Sequence, residues 1–437
     1  MLINRKKIWS LSWPIIIANF TIPLVGLTDT IIMGHMPNSI YIAAIAIGGI
    51  IFNFVYAGLN FLRMGTTGIT SQKLGEKDFE EVCFSLLRPL IIAFLIGVLI
   101  YFSKNLIYES SVYFLTPHDQ IQKFYKEYLF VRMIGLPAGL INMVFLGWFF
   151  GIQKTKSVML QVIIINLVNI FSSLYFSVFL ELGIYGVAIG SVCAQISGLF
   201  VSIIIFLSYY KKLNFKNLNL IILLKINGFF QFFSISKNLF LRTMCLVFVQ
   251  AYLIKKSGLM GINQLATIEI LLIIFSLSSY SLDAFAHSAE TLVGNSIGAK
   301  NKRGLFLTIK HSTELAFLFS LIIGLFLYCF GYFIISVFTD IQILRKLTNE
   351  LWMLVVITPF ISMLAFQLDG VFIGATLAKE MRNSIIMASL IFYLTLEFIV
   401  GTNLNLKNLY SCFLFFLILR GFILSLYLQR VFNLIKL

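Results

Sequence analysis

Charged side chains are scarce in this sequence. Asp, Glu, Lys and Arg together make up 12% of the 437 residues, whereas a soluble domain carries about 25%. Hydrophobic residues make up 59%, which excludes a soluble enzyme, a nucleic-acid-binding protein and a secreted disulfide scaffold. A membrane-spanning helix needs about 20 consecutive, mostly apolar residues. The composition and length therefore predict an all-α polytopic membrane protein.

Residues and motifs with known catalytic chemistry are also missing. The four histidines are dispersed, and the five cysteines form no CxxC pair and no metal-binding run. The sequence contains neither a Walker lysine motif nor a GxSxG nucleophile elbow. We therefore expect no enzymatic activity, no metal site, no organic cofactor and no nucleic-acid partner.

The sequence does contain long apolar segments. Hydropathy and breaker residues predict twelve transmembrane helices, each long enough to cross the hydrocarbon core of a bilayer. The predicted spans are 13–35, 40–64, 86–108, 127–150, 158–180, 184–208, 236–256, 264–290, 310–335, 350–374, 384–401 and 406–430.

The distribution of basic residues predicts the orientation in the membrane. The chain has 33 lysines and arginines against 18 aspartates and glutamates. With both termini in the cytoplasm, 21 of the 33 basic residues fall in cytoplasmic segments, eight in outer segments and four in or beside spans. Lysine and arginine accumulate on the cytoplasmic side of membrane proteins. We therefore expect both termini in the cytoplasm.

An internal repeat divides the chain into two six-helix lobes. The longest polar connection, 209–235, is interpreted as a cytoplasmic linker between lobes 1–208 and 236–437. A constant offset of 223 residues aligns the two lobes, and it pairs the following residues: Gly75 with Gly298, Lys77 with Lys300, Gly147 with Gly370, Gly151 with Gly374, and Gly198 with Gly421. Equal span numbers predict a parallel repeat about an axis along the membrane normal, with substrate bound between the lobes.

Asp29 is the first polar candidate inside the spans. It lies deep in span 1 beside Thr28, in a helix that also contains Pro14 and Pro23. A carboxyl group away from water binds a proton more readily, and a proline favours a kink. A kinking helix with a titratable group is suited to couple protonation to shape. The alternative is a structural aspartate that hydrogen-bonds to a neighbouring helix.

Spans 5 and 6 contain a second set of polar residues. Asn166, Asn169 and Ser173 lie on span 5, and Ser191 lies on span 6. They are candidates for an ion-coupling site together with Asp29. Interhelical hydrogen bonds between packed spans are the alternative interpretation.

The second lobe contains a cluster of charged residues near its cytoplasmic end. Asp283, His287 and Glu290 are spaced i, i+4, i+7 and share one helical face. Arg242 on span 7 and Asp369 on span 10 are expected at a similar depth, so that Arg242 neutralises Asp369, Asp283 or Glu290. The cluster has either a transport role or the role of a structural ion-pair lock.

Four segments of the chain resemble the multidrug and toxic compound extrusion (MATE) transporters, and more narrowly their bacterial DinF-type branch. They are ANFTIPLVGLTDTIIMGH (18–35), FLRMGTTGITSQ (61–72), AFAHSAETLVG (284–294) and LDGVFIGAT (368–376). The resemblance implies twelve helices in two six-helix lobes that form a V. It also implies export of small organic, often cationic compounds by antiport with protons or sodium. We expect a monomer located in the bacterial inner membrane.

The family's coupling residues can be placed on this sequence one by one. The resemblance assigns the span-1 coupling acid to Asp29, the span-5 asparagine to Asn169, the span-6 hydroxyl to Ser191 and the kinking proline to Pro14. The family's second span-5 acid is replaced by Ser173. Sodium-coupled relatives use acids in the second lobe, including span 7, and 236–254 contains none. We therefore expect coupling to protons, with sodium as the alternative.

Two other functions remain open at this stage. A flippase for a lipid-linked precursor needs several cationic side chains in the cavity to bind a pyrophosphate, and Arg242 is the clearest candidate. A membrane-embedded transferase with a polyprenyl donor needs paired acids on an outer loop. The short outer loops show no recognisable pair.

The orientation can be tested by cysteine labelling in a cysteine-free background. A cysteine in place of Lys216 should react from the cytoplasmic side, because the linker is strongly basic. A cysteine in place of Asn38 should react from outside. Labelling of position 216 from outside alone would contradict the predicted orientation.

Overall fold

The structure is a computed structural model that describes residues 3–34, 40–115, 118–210, 223, 226–399 and 405–435. These ranges are almost entirely helical and contain no β-strand. The all-α class follows from the apolar surroundings, because every backbone N–H and C=O inside a bilayer must be hydrogen-bonded within the protein. The described chain divides into two compact units, which we call the first unit (Ile17–Phe233) and the second unit (Met1–Ile16 with Ser234–Leu437).

The first unit contains most of α1 and the helices that follow it. Its helices are α1 (Arg5–Gly34), α2 (Ile40–Leu59), α3 (Phe61–Glu76), α4 (Phe79–Phe102), α5 (Lys104–Leu115), α6 (Asp119–Ile134), α7 (Leu136–Gly151), α8 (Thr155–Leu174), a π-helix (Tyr175–Phe179) and α9 (Gly183–Tyr210). Helices α6 and α7 meet at a bend of 48°.

The second unit begins within α10 and also holds the start of α1. Its helices are α10 (Ile226–Met260), α11 (Ile262–Gly298), α12 (Lys302–Phe338), α13 (Gln342–Glu350), α14 (Trp352–Gly374), α15 (Ala378–Leu394), a π-helix (Thr395–Ile399), α16 (Leu406–Leu426) and α17 (Leu428–Asn433). Apolar side chains of α10, α11, α14 and α16 form the largest part of its core.

Ten helices of the described chain are long and apolar enough to cross a membrane, or eleven if the bent pair α6–α7 is one span. Some helices extend past the predicted spans, and α11 reaches 37 residues where the sequence predicted 264–290. Helix α4 instead begins before and ends before the predicted span 86–108. The remaining predicted span, 384–401, corresponds to α15 with 17 residues and the π-helix after it. Its last two residues lie outside the described ranges.

Two predicted boundaries differ from the structure. The sequence assigned residues 1–16 to the first lobe, but α1 contributes this part to the second unit. Its apolar side chains Ile8 and Leu11 share a buried cluster with Leu282 and Phe285, which local sequence patterns do not reveal. The predicted linker 209–235 is also too long at its end, because α10 begins at Ile226. Most of the rest of the linker, 211–222 and 224–225, lies outside the described residues.

Matching backbone features in the two units confirm the internal repeat. Lys77 and its counterpart Lys300 both end a helix with a positive φ, at 59° and 52°. One residue later, the side chains of Asp78 and Asn301 cap the next helix, accepting from the N–H groups of Glu81 at 3.1 Å and Gly304 at 2.8 Å. A second pair at the same offset, Gln153 and Thr376, also has positive φ.

Close helix contacts at paired glycines repeat in the same register. A Cβ on Gly147 would collide with the carbonyl oxygen of Arg63, and a Cβ on Gly370 would collide with that of Ala286, the counterpart of Arg63. A Cβ on Gly198 would lie 2.9 Å from Asn142, and a Cβ on Gly421 would lie 3.2 Å from Ala365, the counterpart of Asn142. The offset of 223 residues therefore relates interior contacts as well as sequence.

These contacts predict that a valine at either paired glycine destabilises the protein. Gly147→Val and Gly370→Val should each reduce the free energy of unfolding by about 1–3 kcal/mol, because the added side chain meets backbone that cannot rotate away. The control is Gly49→Ala, since a Cβ on Gly49 has nothing within 4 Å. Melting temperatures of the detergent-purified variants provide the measurement. Equal melting temperatures for all three variants would contradict the close contacts.

Candidate functional site

Asp29 lies in a buried polar region of the first unit. Its side chain is 8% exposed on α1, and Ser173 of α8 and Arg132 of α6 are its polar neighbours. In the described residues, neither Asp29 Oδ1 nor Ser173 Oγ has a hydrogen-bond partner, and Asp29 forms no ion pair. The structure therefore places Ser173 next to Asp29, and one carboxylate oxygen has no hydrogen-bond partner among the described residues.

The polar residues of α8 and α9 continue this region. Asn169 Nδ2 donates to Ser191 Oγ at 3.2 Å, one turn before Ser173 on the same helix. Asn166 Nδ2 donates to Thr21 Oγ1 at 2.6 Å, which ties α8 to α1. Gly190 allows the close approach of the two helices, because a Cβ there would lie 2.5 Å from Ser173 Oγ. The predicted residues Asn169, Ser173 and Ser191 are thus brought together.

Pro14 lies apart from this group. Helix α1 runs without interruption from Arg5 to Gly34 through both prolines. Pro14 precedes Asp29 by 15 positions, about 22 Å along a helix axis, and it belongs to the part of α1 in the second unit. The structure therefore does not bring Pro14 to the carboxylate.

Arg132 is a member of the region that the sequence interpretation missed. The sequence shows it as an arginine within a predicted span, and the structure places it close enough to Asp29, Tyr56 and Tyr128 to interact with them electrostatically. Its Nη1 donates to the hydroxyl of Tyr128 at 2.5 Å, and its guanidinium lies 4.4 Å from the ring centre of Phe52. A charged side chain inside a span was the available signal.

A second charged centre lies within the second unit. Arg242 Nη2 and Arg420 Nη2 both donate to Asp369 Oδ2. The side chains of Arg242, Arg420 and Asp369 are 5%, 6% and 10% exposed, respectively. Arg420 also lies over the ring of Phe366, at 5.4 Å from its centre. The structure thus selects Asp369 from the three predicted partners of Arg242, and it adds Arg420, which the sequence interpretation left unassigned.

The other predicted members of the second cluster divide into two positions. His287 Nδ1 and the fully buried Glu290 are 3.0 Å apart on α11 and form their own pair. Asp283 is partly buried and interacts electrostatically with Arg420. No group of three His, Cys, Asp or Glu side chains in the described part of the chain is arranged to hold a metal ion.

The two centres have different chemistry. Asp369 accepts hydrogen bonds from two buried cations, so its negative charge is neutralised by direct contacts. Asp29 has a cation nearby but no cation bound to it. The two aspartates therefore differ in whether a cation binds the carboxylate directly.

Comparison with known proteins identifies the family. The MatE family model matches residues 14–175 and again 239–402, once in each half of the chain. The chain belongs to the MATE family. The two matches agree with the internal repeat, and the protein is accordingly a multi-pass membrane transporter that handles small substrates.

The similar MATE proteins include a DinF relative and several solved transporters. The chain is 28% identical to DNA damage-inducible protein F of Escherichia coli over 90% of this chain and 85% of that protein, which confirms the predicted DinF-type branch. It is 26% identical to the probable multidrug resistance protein NorM of Photorhabdus laumondii over 77% and 74% of the two chains.

Solved structures support the fold. A multidrug resistance MATE family transporter in an outward-facing conformation superposes with a TM-score of 0.88 at 18% identity, over 99% of this chain and 97% of that one. A MOP superfamily transporter of Pyrococcus furiosus, described as having a binding pocket of reverse polarity, superposes with a TM-score of 0.87 at 18% identity. The match covers 99% of this chain and 97% of that one.

The contacts around Asp369 predict that substitutions of Asp369, Arg242 and Arg420 reduce the free energy of unfolding by different amounts. Asp369→Ala removes the shared acceptor from two buried guanidiniums and should reduce the free energy of unfolding by about 3–5 kcal/mol. Arg242→Gln should cost less, because Arg420 still neutralises Asp369. Thermal unfolding of Asp369→Ala, Arg242→Gln and Arg420→Gln gives the comparison. A smaller loss for Asp369→Ala than for Arg242→Gln would contradict the shared-acceptor geometry.

Proposed function

We propose that this protein is a secondary active exporter that couples the efflux of organic compounds to proton entry through Asp29. One observation carries the proposal. The described residues contain four buried carboxylates. Three of them have a basic partner, since Asp369 binds two arginines, Glu380 binds Arg430 and Glu290 binds His287. Asp29 alone among them has none, so it is the buried carboxylate best suited to gain and lose a proton.

The surroundings of both aspartates favour protons over sodium. A sodium ion needs several oxygen ligands, and a carboxylate engaged by two guanidiniums, as in Asp369, has little capacity left for one. At Asp29 the positive charge of Arg132 disfavours sodium and a proton alike, so the number of oxygen ligands that each ion needs makes the difference. A proton needs only one carboxylate oxygen, and Asp29 Oδ1 is without a hydrogen-bond partner in the described chain.

The proposed substrates are small amphipathic organic cations. The support is indirect and comes from relatives named for multidrug resistance. A flippase for a lipid-linked precursor is the second candidate, because the second unit holds two buried arginines, Arg242 and Arg420, and one similar transporter is described as having a pocket of reverse polarity. It ranks second because both arginines already bind Asp369.

The proposal includes the cellular setting. A monomer in the bacterial inner membrane with both termini in the cytoplasm fits the basic-residue distribution and the bacterial relatives. In this orientation Asp29 binds a proton from the outer side and releases it to the cytoplasm while substrate leaves.

Asp29→Asn tests the coupling role directly. Asparagine keeps the shape and a hydrogen-bonding oxygen but cannot titrate, so gradient-driven efflux should be lost while folding and insertion are retained. The assay is efflux of a fluorescent organic cation such as ethidium from proteoliposomes under separately imposed proton and sodium gradients, with melting temperature measured in parallel.

The matched control is Glu127→Gln, which makes the same chemical change at an exposed carboxylate of α6 in the same unit. It should leave efflux unchanged. Undiminished proton-driven efflux by Asp29→Asn would remove Asp29 from the mechanism, and efflux driven by sodium alone would reject proton coupling.

A further inference from the structure

Arg132 is held in an unusual way for a partly buried arginine. It has no carboxylate partner within ion-pair distance in the described chain. Its contacts are with neutral groups, namely the hydroxyl of Tyr128 at 2.5 Å and the ring of Phe52, whose centre is 4.4 Å away. A cation over an aromatic face is stabilised without any negative charge.

The group that holds Arg132 is itself rigidly packed. Tyr128 is fully buried, and its ring lies against Gly48, where a Cβ would come within 2.5 Å of ring carbons. Phe52, one turn further along α2, is 1% exposed. Side chains packed to this density change rotamer only at a cost in free energy. Helices α2 and α6 therefore fix where the guanidinium stands.

The position of the guanidinium has an electrostatic consequence for Asp29. A direct bidentate arginine pair would occupy both carboxylate oxygens and favour the ionised form strongly. An isolated buried carboxylate would stay protonated, since burial penalises the charged form. A cation in electrostatic range but not in contact gives an intermediate case. Both protonation states then remain accessible.

From this geometry we propose that Arg132 is a positioning residue for proton binding at Asp29, and that Tyr128 and Phe52 hold its guanidinium outside ion-pair distance of that carboxylate. The inference deepens the proposed function and rests on Asp29 as the proton carrier. Arg132, Tyr128 and Tyr56 are the titratable groups that interact with Asp29 or with its arginine in the described structure. Both tyrosines are neutral in the working pH range, so Arg132 is the charged neighbour that matters.

The test is a titration of Asp29 in the full-length protein reconstituted in lipid. A protonated carboxylic acid has its own infrared C=O band, and the band of Asp29 is identified by its loss in Asp29→Asn. In Arg132→Gln the midpoint of this band should move to higher pH by about one unit, because the nearby positive charge is gone. In Arg132→Lys, which keeps the charge, the midpoint should stay near that of the wild type.

For Tyr128→Phe we expect the midpoint of the Asp29 band to move in the opposite direction. It removes the hydroxyl that accepts from Arg132 but keeps the ring that fills the space. The freed guanidinium can then approach Asp29, and the midpoint should move to lower pH. This variant keeps the proposal testable if Arg132→Gln does not fold, and the pH dependence of efflux should follow the same order.

The matched control is Arg63→Gln in the same unit. Arg63 also stacks on an aromatic ring, that of Phe150 at 5.7 Å, but Asp29 is not among the groups it acts on. In Arg63→Gln the midpoint of the Asp29 band should equal that of the wild type. Equal midpoints in Arg132→Gln, Tyr128→Phe and the control would overturn the role of Arg132.

The results also separate this inference from the proposed function. If Asp29→Asn abolishes proton-driven efflux but the Arg132 variants titrate like the wild type, only the positioning role is lost. If Asp29→Asn transports normally, proton coupling at Asp29 fails regardless of the titration.

Discussion

The cost of a charge in an apolar interior governs the functional chemistry of this protein. A buried ion must be paired, or it must become neutral. At Asp369 the first solution applies, with two arginines on one carboxylate oxygen. Asp29 forms no ion pair in the described chain and its Oδ1 has no hydrogen-bond partner there, and the proposed function assigns the second solution, protonation, to this carboxylate. The same physical constraint therefore accounts for one carboxylate paired with two cations and for another that is proposed to bind a proton.

The internal repeat shows that architecture and chemistry are separable. At one offset the two units share helix caps, residues with positive φ and close contacts at glycines, so their backbones pack in the same way. The charged residues of their buried polar centres do not repeat. The counterpart of Asp29 is Tyr252, that of Arg132 is Val355, and that of Asp369 is Leu146. Backbone packing was duplicated as a framework, and each unit carries its own polar centre on it.

The sequence predicted features that depend on short-range patterns. It predicted poorly the contacts between residues that are far apart in the chain. Apolar runs predicted the helices, and one offset predicted the repeat, because both follow from short-range patterns. Asp29 stood out as a charge inside a span. The partners of the charges were predictable only in part. Three candidate acids were left open for Arg242 and one of them, Asp369, is its partner. The other pairings were missed, since Arg420 meets Asp369 across 51 positions and Arg132 lies 103 positions from Asp29. The same reason applies to residues 3–16, whose partners on α11 are far away in sequence.

Helix α1 contributes residues to both units. Its later part carries Asp29 in the first unit, and its first part belongs to the second unit. There Ser12 Oγ and Ser288 Oγ are 2.6 Å apart, and Arg5 Nε donates to Glu314 at 2.9 Å. Under the proposed function, neutralising Asp29 changes the electrostatic energy between α1 and Arg132. The helix that carries the proposed proton site is therefore also the helix whose first part packs within the second unit.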